Sequence, residues 1–176
     1  TMNLANKLTM FRVILIPVFL IVLYADFPYC RYVALAVFAI ASFTDFLDGH
    51  IARSRNLVTD FGKFMDPLAD KVLVMTAMLM FVSWGQMPAW VLAVVLAREL
   101  AVSGLRMIAA TEGKVIAAAW SGKVKTAATM VCIILMLLPI PAQLNLVCWL
   151  VILVTTVYSG IEYFLKNKHV IDWSNL

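Results

Sequence analysis

Five of the ten acidic residues in this chain of 176 lie between positions 45 and 70; Asp60 falls in a polar stretch, and the other four are Asp45, Asp48, Asp66 and Asp70. All four stand in apolar, helix-like surroundings. A carboxylate at the centre of a membrane helix costs about 2.5–3.5 kcal/mol on insertion scales, so four together cost roughly 10 kcal/mol without compensation. Nearer the interface the cost falls, but mutual repulsion remains. A bound cation is the natural compensation. All-carboxylate ligation selects hard ions such as Mg²⁺, Mn²⁺ or Ca²⁺. Four carboxylates suffice for two ions about 3.5–4 Å apart, the arrangement that serves in-line displacement at phosphorus. Zinc is disfavoured, because His50 lies off the acidic stripe and Cys30, Cys132 and Cys148 lack ligand spacing. The bland alternative pairs the aspartates with Arg53, Lys63 and Lys71, but leaves the accompanying glycines unexplained.

Helical spacing organises these residues. Asp45, Asp48, Gly49 and Ala52 follow i, i+3, i+4, i+7 and share one helix face. Gly62, Asp66 and Asp70 follow i, i+4, i+8 on a second helix. The polar stretch 54–61 between them is a short connection, so the two helices are predicted to be antiparallel neighbours with facing acidic stripes. Gly49 and Gly62 leave room beside the carboxylates for a bulky ligand to approach backbone.

The elements that carry this site belong to a membrane. Hydrophobic residues make up 64% of the chain and charged residues 14%, against about half and a quarter in soluble domains. A single domain over 1–176 is expected, with apolar segments near 8–25, 31–53, 63–84, 87–110, 119–138 and 144–166. Each approaches the ~20 residues that span a bilayer. The first reads as a transmembrane helix rather than a signal peptide, since Leu23 stands where a small residue should precede cleavage. Pro17 is expected to kink it. Every Lys and Arg except Arg31 falls on one side of a six-helix trace, which places that side and both termini in the cytoplasm. Turns at 24–28, 85–88 and 139–141 then lie outside. The net charge of +4 becomes a basic surface facing the leaflet, and no interleaved basic and aromatic pattern points to nucleic acid.

The run Asp45-Phe-Leu-Asp48-Gly49-His-Ile-Ala52-Arg53, then eight residues, Gly62, three residues, Asp66, three residues, Asp70 resembles the full signature of the CDP-alcohol phosphotransferase family. The resemblance implies an all-α integral membrane fold of six transmembrane helices, a homodimer, and an active site at the cytoplasmic end of helices 2 and 3. It implies two divalent cations, Mg²⁺ or Mn²⁺, on Asp45, Asp48, Asp66 and Asp70, with Asp70 as general base. Asn6-Lys-Leu-Thr9 followed by Arg12 resembles the family's amino-terminal segment, with Ala5 where relatives usually carry proline. Asn6, Thr9, Gly49, Ala52, Arg53, Thr59 and Gly62 are thereby expected to hold CDP-diacylglycerol. Ala97-Arg98-Glu99-Leu100, Ser103 to Arg106 and Gly122 to Thr126 are similar to the branch whose acceptor is sn-glycerol 3-phosphate.

The acceptor is argued from helices 4 and 5. Arg98 and Arg106 lie eight apart on roughly one side of a helix, and Lys123 and Lys125 open the next. Four cations suit a phosphate dianion, with Arg giving forked contacts and Lys point charge. Glycerol 3-phosphate requires them; inositol or serine does not. Glu99 is expected to pair with a neighbouring cation. Interfacial anchoring is the competing account, preferred for Lys114, Lys166 and Lys168; Tyr24 and Trp84, Trp90, Trp149 and Trp173 read the same way. Two alternatives stay open: a family member acting on inositol phosphate, inositol or serine, and a cation-coupled transporter. Transporters usually show inverted repeats and broken helices, and neither is legible here.

Overall fold

The computed structural model describes residues 2–117 and 119–175. It contains six long helices: α1 (Leu4–Tyr24), α2 (Cys30–Ser54), α3 (Asp60–Ser83), α4 (Ala89–Thr111), α5 (Trp120–Leu137) and α6 (Ala142–Asn167). Four of these, α1, α2, α5 and α6, are long and apolar enough to cross a bilayer. Of the other two, α3 carries Asp60, Lys63, Asp66, Asp70 and Lys71 and α4 carries Arg98, Glu99 and Arg106, which interrupt their apolar runs without shortening the helices. The chain is a multi-pass, all-helical membrane protein.

Local chemistry sets the helix ends. α1 starts four residues before the predicted boundary, because Asn3 caps it: its side chain accepts the Asn6 backbone N–H at 2.8 Å. Asn6, Lys7 and Thr9 are therefore helical. Pro17 lies inside α1. Thr59 caps α3 by accepting the Gly62 N–H at 3.1 Å, so the connection shrinks to residues 55–59. Pro67 lies inside α3 and has no N–H for the carbonyl one turn back, between Asp66 and Asp70. Beyond the end of α4 at Thr111, Gly113 turns the chain with a φ of +72° that suits a residue without Cβ, and the Lys114 N–H closes back on the Ala109 carbonyl at 2.9 Å.

The helices form two compact units. One holds α1, α2 and α3 as far as Phe81, with Leu137–Pro139. There α1 lies along α2. Its buried face is Ala5, Thr9, Arg12, Phe19 and Leu23, the i, i+4, i+7 progression of a helix stripe. Phe19 meets Phe38 at 6.0 Å between ring centroids. Ala34, Ala41, Ala69, Leu73 and Ala77 complete this interior. The second unit holds α4, α6, α5 as far as Met136 and the carboxy-terminal segment. Its core joins Val102, Leu105 and Ala109 of α4 to Tyr163 of α6 and to Val170, with Ile116 and Ile171 packed against them.

Candidate active site

The acidic cluster is assembled around α1. Arg12 is fully buried, and its guanidinium pairs with Asp45 of α2 and, at 3.1 Å, with Asp66 of α3. Asp48 of α2 lies 3.9 Å from the same guanidinium. Three carboxylates from two helices thus converge on one side chain of a third helix. Burying a guanidinium is costly unless carboxylates surround it. Here it offsets the charge that the sequence reading assigned to metal.

Thr9, one turn before Arg12, is the second hub. Its hydroxyl lies 2.5 Å from Asp48 Oδ2 and 2.7 Å from Asp66 Oδ1, and 3.1 Å from the Ala5 carbonyl. A threonine hydroxyl has one proton to donate. Three acceptor oxygens therefore crowd one donor, and the carboxylates of α2 and α3 meet at a single atom. The two acidic stripes do face each other, with α1 joining them. Asp70 follows Asp66 by one turn and is half-buried.

A cleft of about 180 Å³ opens beside this cluster. Asn6, Asp48, Gly49, Ala52, Arg53, Thr59, Gly62 and Asp66 all line it. The Thr59 hydroxyl donates to Asn6 Oδ1 at 2.9 Å, and Asn3 Nδ2 donates to the Leu57 carbonyl at 3.1 Å. These bonds tie the start of α1 to the connection before α3. A Cβ at Gly49 would come no closer than 3.8 Å to Arg53, and one at Gly62 no closer than 3.5 Å to Asn6 and Thr59. Neither glycine is demanded by packing. What a methyl there would occupy is the cleft. His50 is exposed and stacks on Phe46.

The donor set suits a hard divalent cation: every group is oxygen, and acceptors outnumber protons at Thr9. As placed, the carboxylates are bridged by Arg12 and Thr9, and among the described residues no three acidic, His or Cys groups converge with metal-ligand spacing.

In the second unit, Glu99 of α4 is buried and holds two of the four predicted cations. Arg98 Nη1 lies 3.2 Å from Glu99 Oε1, and Lys125 of α5 pairs with the same oxygen. Arg98 Nη2 also donates to Ser159 Oγ of α6 at 3.2 Å. Arg106 instead donates from Nε to the Tyr163 hydroxyl at 3.1 Å, its guanidinium 5.5 Å from that ring's centroid. Lys123 is exposed. The single four-cation cluster expected from spacing is thus one built pair, Arg98 and Lys125, with Arg106 engaged by an aromatic partner. Lys166 pairs at 2.6 Å with Glu162 one turn back, and Lys114 at 3.4 Å with Glu112, both on open surface.

Two site residues were undervalued by sequence reasoning. Arg12 had a signal: an arginine on the same stripe as Ala5 and Thr9 within an otherwise apolar helix. Ser159 had none, being one of several hydroxyls in α6.

An all-helical membrane fold, with paired aspartates on adjacent helices beside a glycine-edged cleft, finds its counterpart among known proteins. The family model for CDP-alcohol phosphatidyltransferase matches residues 2–158. The chain belongs to that family. It is 42% identical over 192 residues to the CDP-diacylglycerol–glycerol-3-phosphate 3-phosphatidyltransferase of Bacillus subtilis (strain 168), covering 98% of this chain and 99% of that protein. It is 40% identical over 167 residues to a probable phosphatidylglycerophosphate synthase of Mycobacterium tuberculosis (strain H37Rv), covering 92% and 79%. The Escherichia coli (strain K12) protein named as a CDP-diacylglycerol–glycerol-3-phosphate 3-phosphatidyltransferase is 44% identical over 136 residues, covering 73% of each chain.

Proposed function

We propose that this chain transfers the phosphatidyl group of CDP-diacylglycerol to sn-glycerol 3-phosphate, giving phosphatidylglycerophosphate and CMP. The observation that carries the chemistry is the meeting of Asp48 and Asp66 on the Thr9 hydroxyl beside the glycine-edged cleft. The acceptor is supported by the near-full-length Bacillus subtilis relative, whose name specifies glycerol 3-phosphate. It is also supported by the Arg98–Glu99–Lys125 network, a fixed cationic pair suited to a phosphate.

The cleft takes the nucleotide end of the lipid, lying against Gly49 and Ala52 of α2 and Gly62 of α3. Asn6, Thr9 and Thr59 present polar atoms to it, and Arg53 offsets phosphate charge. Asp45, Asp48, Asp66 and Asp70 would hold two divalent cations, Mg²⁺ or Mn²⁺, which supply charge neutralisation at the pyrophosphate and the departing CMP. Asp70 accepts the proton of the acceptor's terminal hydroxyl. That oxygen attacks the lipid-side phosphorus, a new P–O bond forms, and the bond to the CMP oxygen breaks. The acyl chains stay in the bilayer throughout. The enzyme works as a homodimer in the cell membrane, with active site and both termini cytoplasmic.

The test is CMP release by purified protein in detergent, with CDP-diacylglycerol and a panel of labelled acceptors. Release is expected with glycerol 3-phosphate, stopped by EDTA and restored by Mg²⁺ or Mn²⁺. Label transferred to inositol phosphate, inositol or serine instead would replace the acceptor. No CMP release with any acceptor would favour a cation-coupled carrier.

A further inference from the structure

Arg98 is unusual in how little freedom its stem has. It stands on α4, yet its guanidinium is held by three elements: Glu99 beside it, Ser159 on α6 and, through Glu99, Lys125 on α5. It also lines an apolar cleft of about 420 Å³, with Ala101 and Leu105 of α4 and Gly160 and Phe164 of α6. In such surroundings an arginine held only at its tip would swing toward water. What keeps its base in place is α6. A Cβ built on Gly160 would stand 2.8 Å from Arg98 Cγ and 3.8 Å from Cβ and Nε. Carbon atoms in good contact lie about 3.5–4.0 Å apart. Only glycine lets the arginine stem lie directly on the α6 backbone. A Cβ at Gly122 of α5 would lie 3.9 Å from Arg98 Nη2, an ordinary contact.

The clash falls on Cγ, near the root of the side chain, so it is relieved only by turning the whole side chain about its first torsions. The guanidinium, three bonds further out, is displaced by more than the stem. It would then lose the Ser159 and Glu99 contacts together.

We propose that Gly160 is a positioning residue for the acceptor: by holding the Arg98 stem against α6 it aims the guanidinium at the acceptor phosphate. This rests on the reading of Arg98 as a phosphate-binding cation. A misplacement of about 1 Å in a binding group can cost on the order of 10²-fold, and loss of one charge-assisted contact roughly ten-fold or more.

The experiment is a kinetic cycle in detergent with Gly160→Ala, Arg98→Ala and the double variant, and Gly104→Ala as control. A Cβ at Gly104 meets nothing within 4 Å. Gly160→Ala is expected to raise the glycerol 3-phosphate KM about ten-fold or more, with the CDP-diacylglycerol KM near that of the parent. Gly104→Ala should leave both unchanged. In the Arg98→Ala background the Gly160 substitution should add nothing, since it acts through that side chain; a merely structural role would add its full effect again. Ala favours a helix over Gly, so the fold should survive. Gly160→Val, with a larger side chain, should exceed the Ala effect. The inference is overturned if Arg98→Ala raises the acceptor KM and Gly160→Ala does not, or if their effects multiply in the double variant. Parent acceptor KM in Arg98→Ala would overturn the phosphate-binding reading itself, and this inference with it.

Discussion

Replacing Arg12 with methionine keeps much of the buried volume and removes the charge that α2 and α3 share. The structure sets the scale of the loss. At 3.1 Å from Asp66 and an effective dielectric near 20, the attraction is about 5 kcal/mol. Asp45 adds a second close partner, and Asp48 a third at 3.9 Å. Against this stands the desolvation of a guanidinium with no exposed surface, which takes back several kcal/mol. The Asp45 and Asp66 side chains are 38% and 31% exposed, so water already screens part of both pairs. A net destabilisation of about 2–4 kcal/mol is expected for Arg12→Met, smaller than for a wholly buried network. For a chain of this length that is roughly 5–15 °C in Tm. The three free cysteines, all buried, supply the assay: a thiol-reactive fluorophore in detergent reports unfolding as they become exposed. The measurement is made in EDTA and repeated with Mg²⁺. Divalent ion should narrow the gap between parent and variant, because it meets carboxylates that have lost their cation. An Arg12→Met protein that melts with the parent in chelator would refute Arg12 as the compensating charge, and with it the account of how the site folds.

Asp70→Asn should cut turnover by about 10²–10⁴-fold, the usual range for a general base, while CDP-diacylglycerol still binds in equilibrium dialysis with Mg²⁺; near-parent turnover would move the proton to another acceptor. Thr9→Val, which keeps shape and removes the hydroxyl between Asp48 and Asp66, should weaken CDP-diacylglycerol binding without changing the glycerol 3-phosphate KM, and equal effects on both substrates would count against the division of the two sites. Arg106→Ala should raise the acceptor KM roughly ten-fold, unless the contact with Tyr163 is its whole purpose, in which case a fall in Tm with unchanged kinetics will show it. In a variant free of native cysteines, Ala25→Cys and Ile140→Cys should react with an impermeant thiol reagent in intact cells and Ser54→Cys should not; the reverse pattern would invert the topology.

Much of this protein is local in origin and therefore legible in its sequence. Helix spans follow from runs of apolar residues bounded by Pro, Gly and polar turns, and the six helices fall within a few residues of their predicted limits. The largest difference is the start of α1, where a side-chain cap by Asn3 outweighs the polarity of Asn6, Lys7 and Thr9. The acidic stripes are legible for the same reason: i, i+3, i+4 spacing is a property of one helix and needs no partner. Family membership was equally plain, since the signature between Asp45 and Asp70 is a string.

What joins those stripes is not a string. Arg12 and Thr9 are separated from Asp66 by more than fifty residues, and spacing along the chain carries no term for a contact between helices. Only packing puts α1 between the carboxylates, so only the tertiary structure shows that a guanidinium already offsets charge that a linear reading hands entirely to metal. The acceptor side differs in the same way. Eight-residue spacing puts Arg98 and Arg106 on one side of α4, but their partners, Ser159 and Tyr163, come from α6. A cation's role is set by what faces it, and what faces it is decided when helices pack, not when they form.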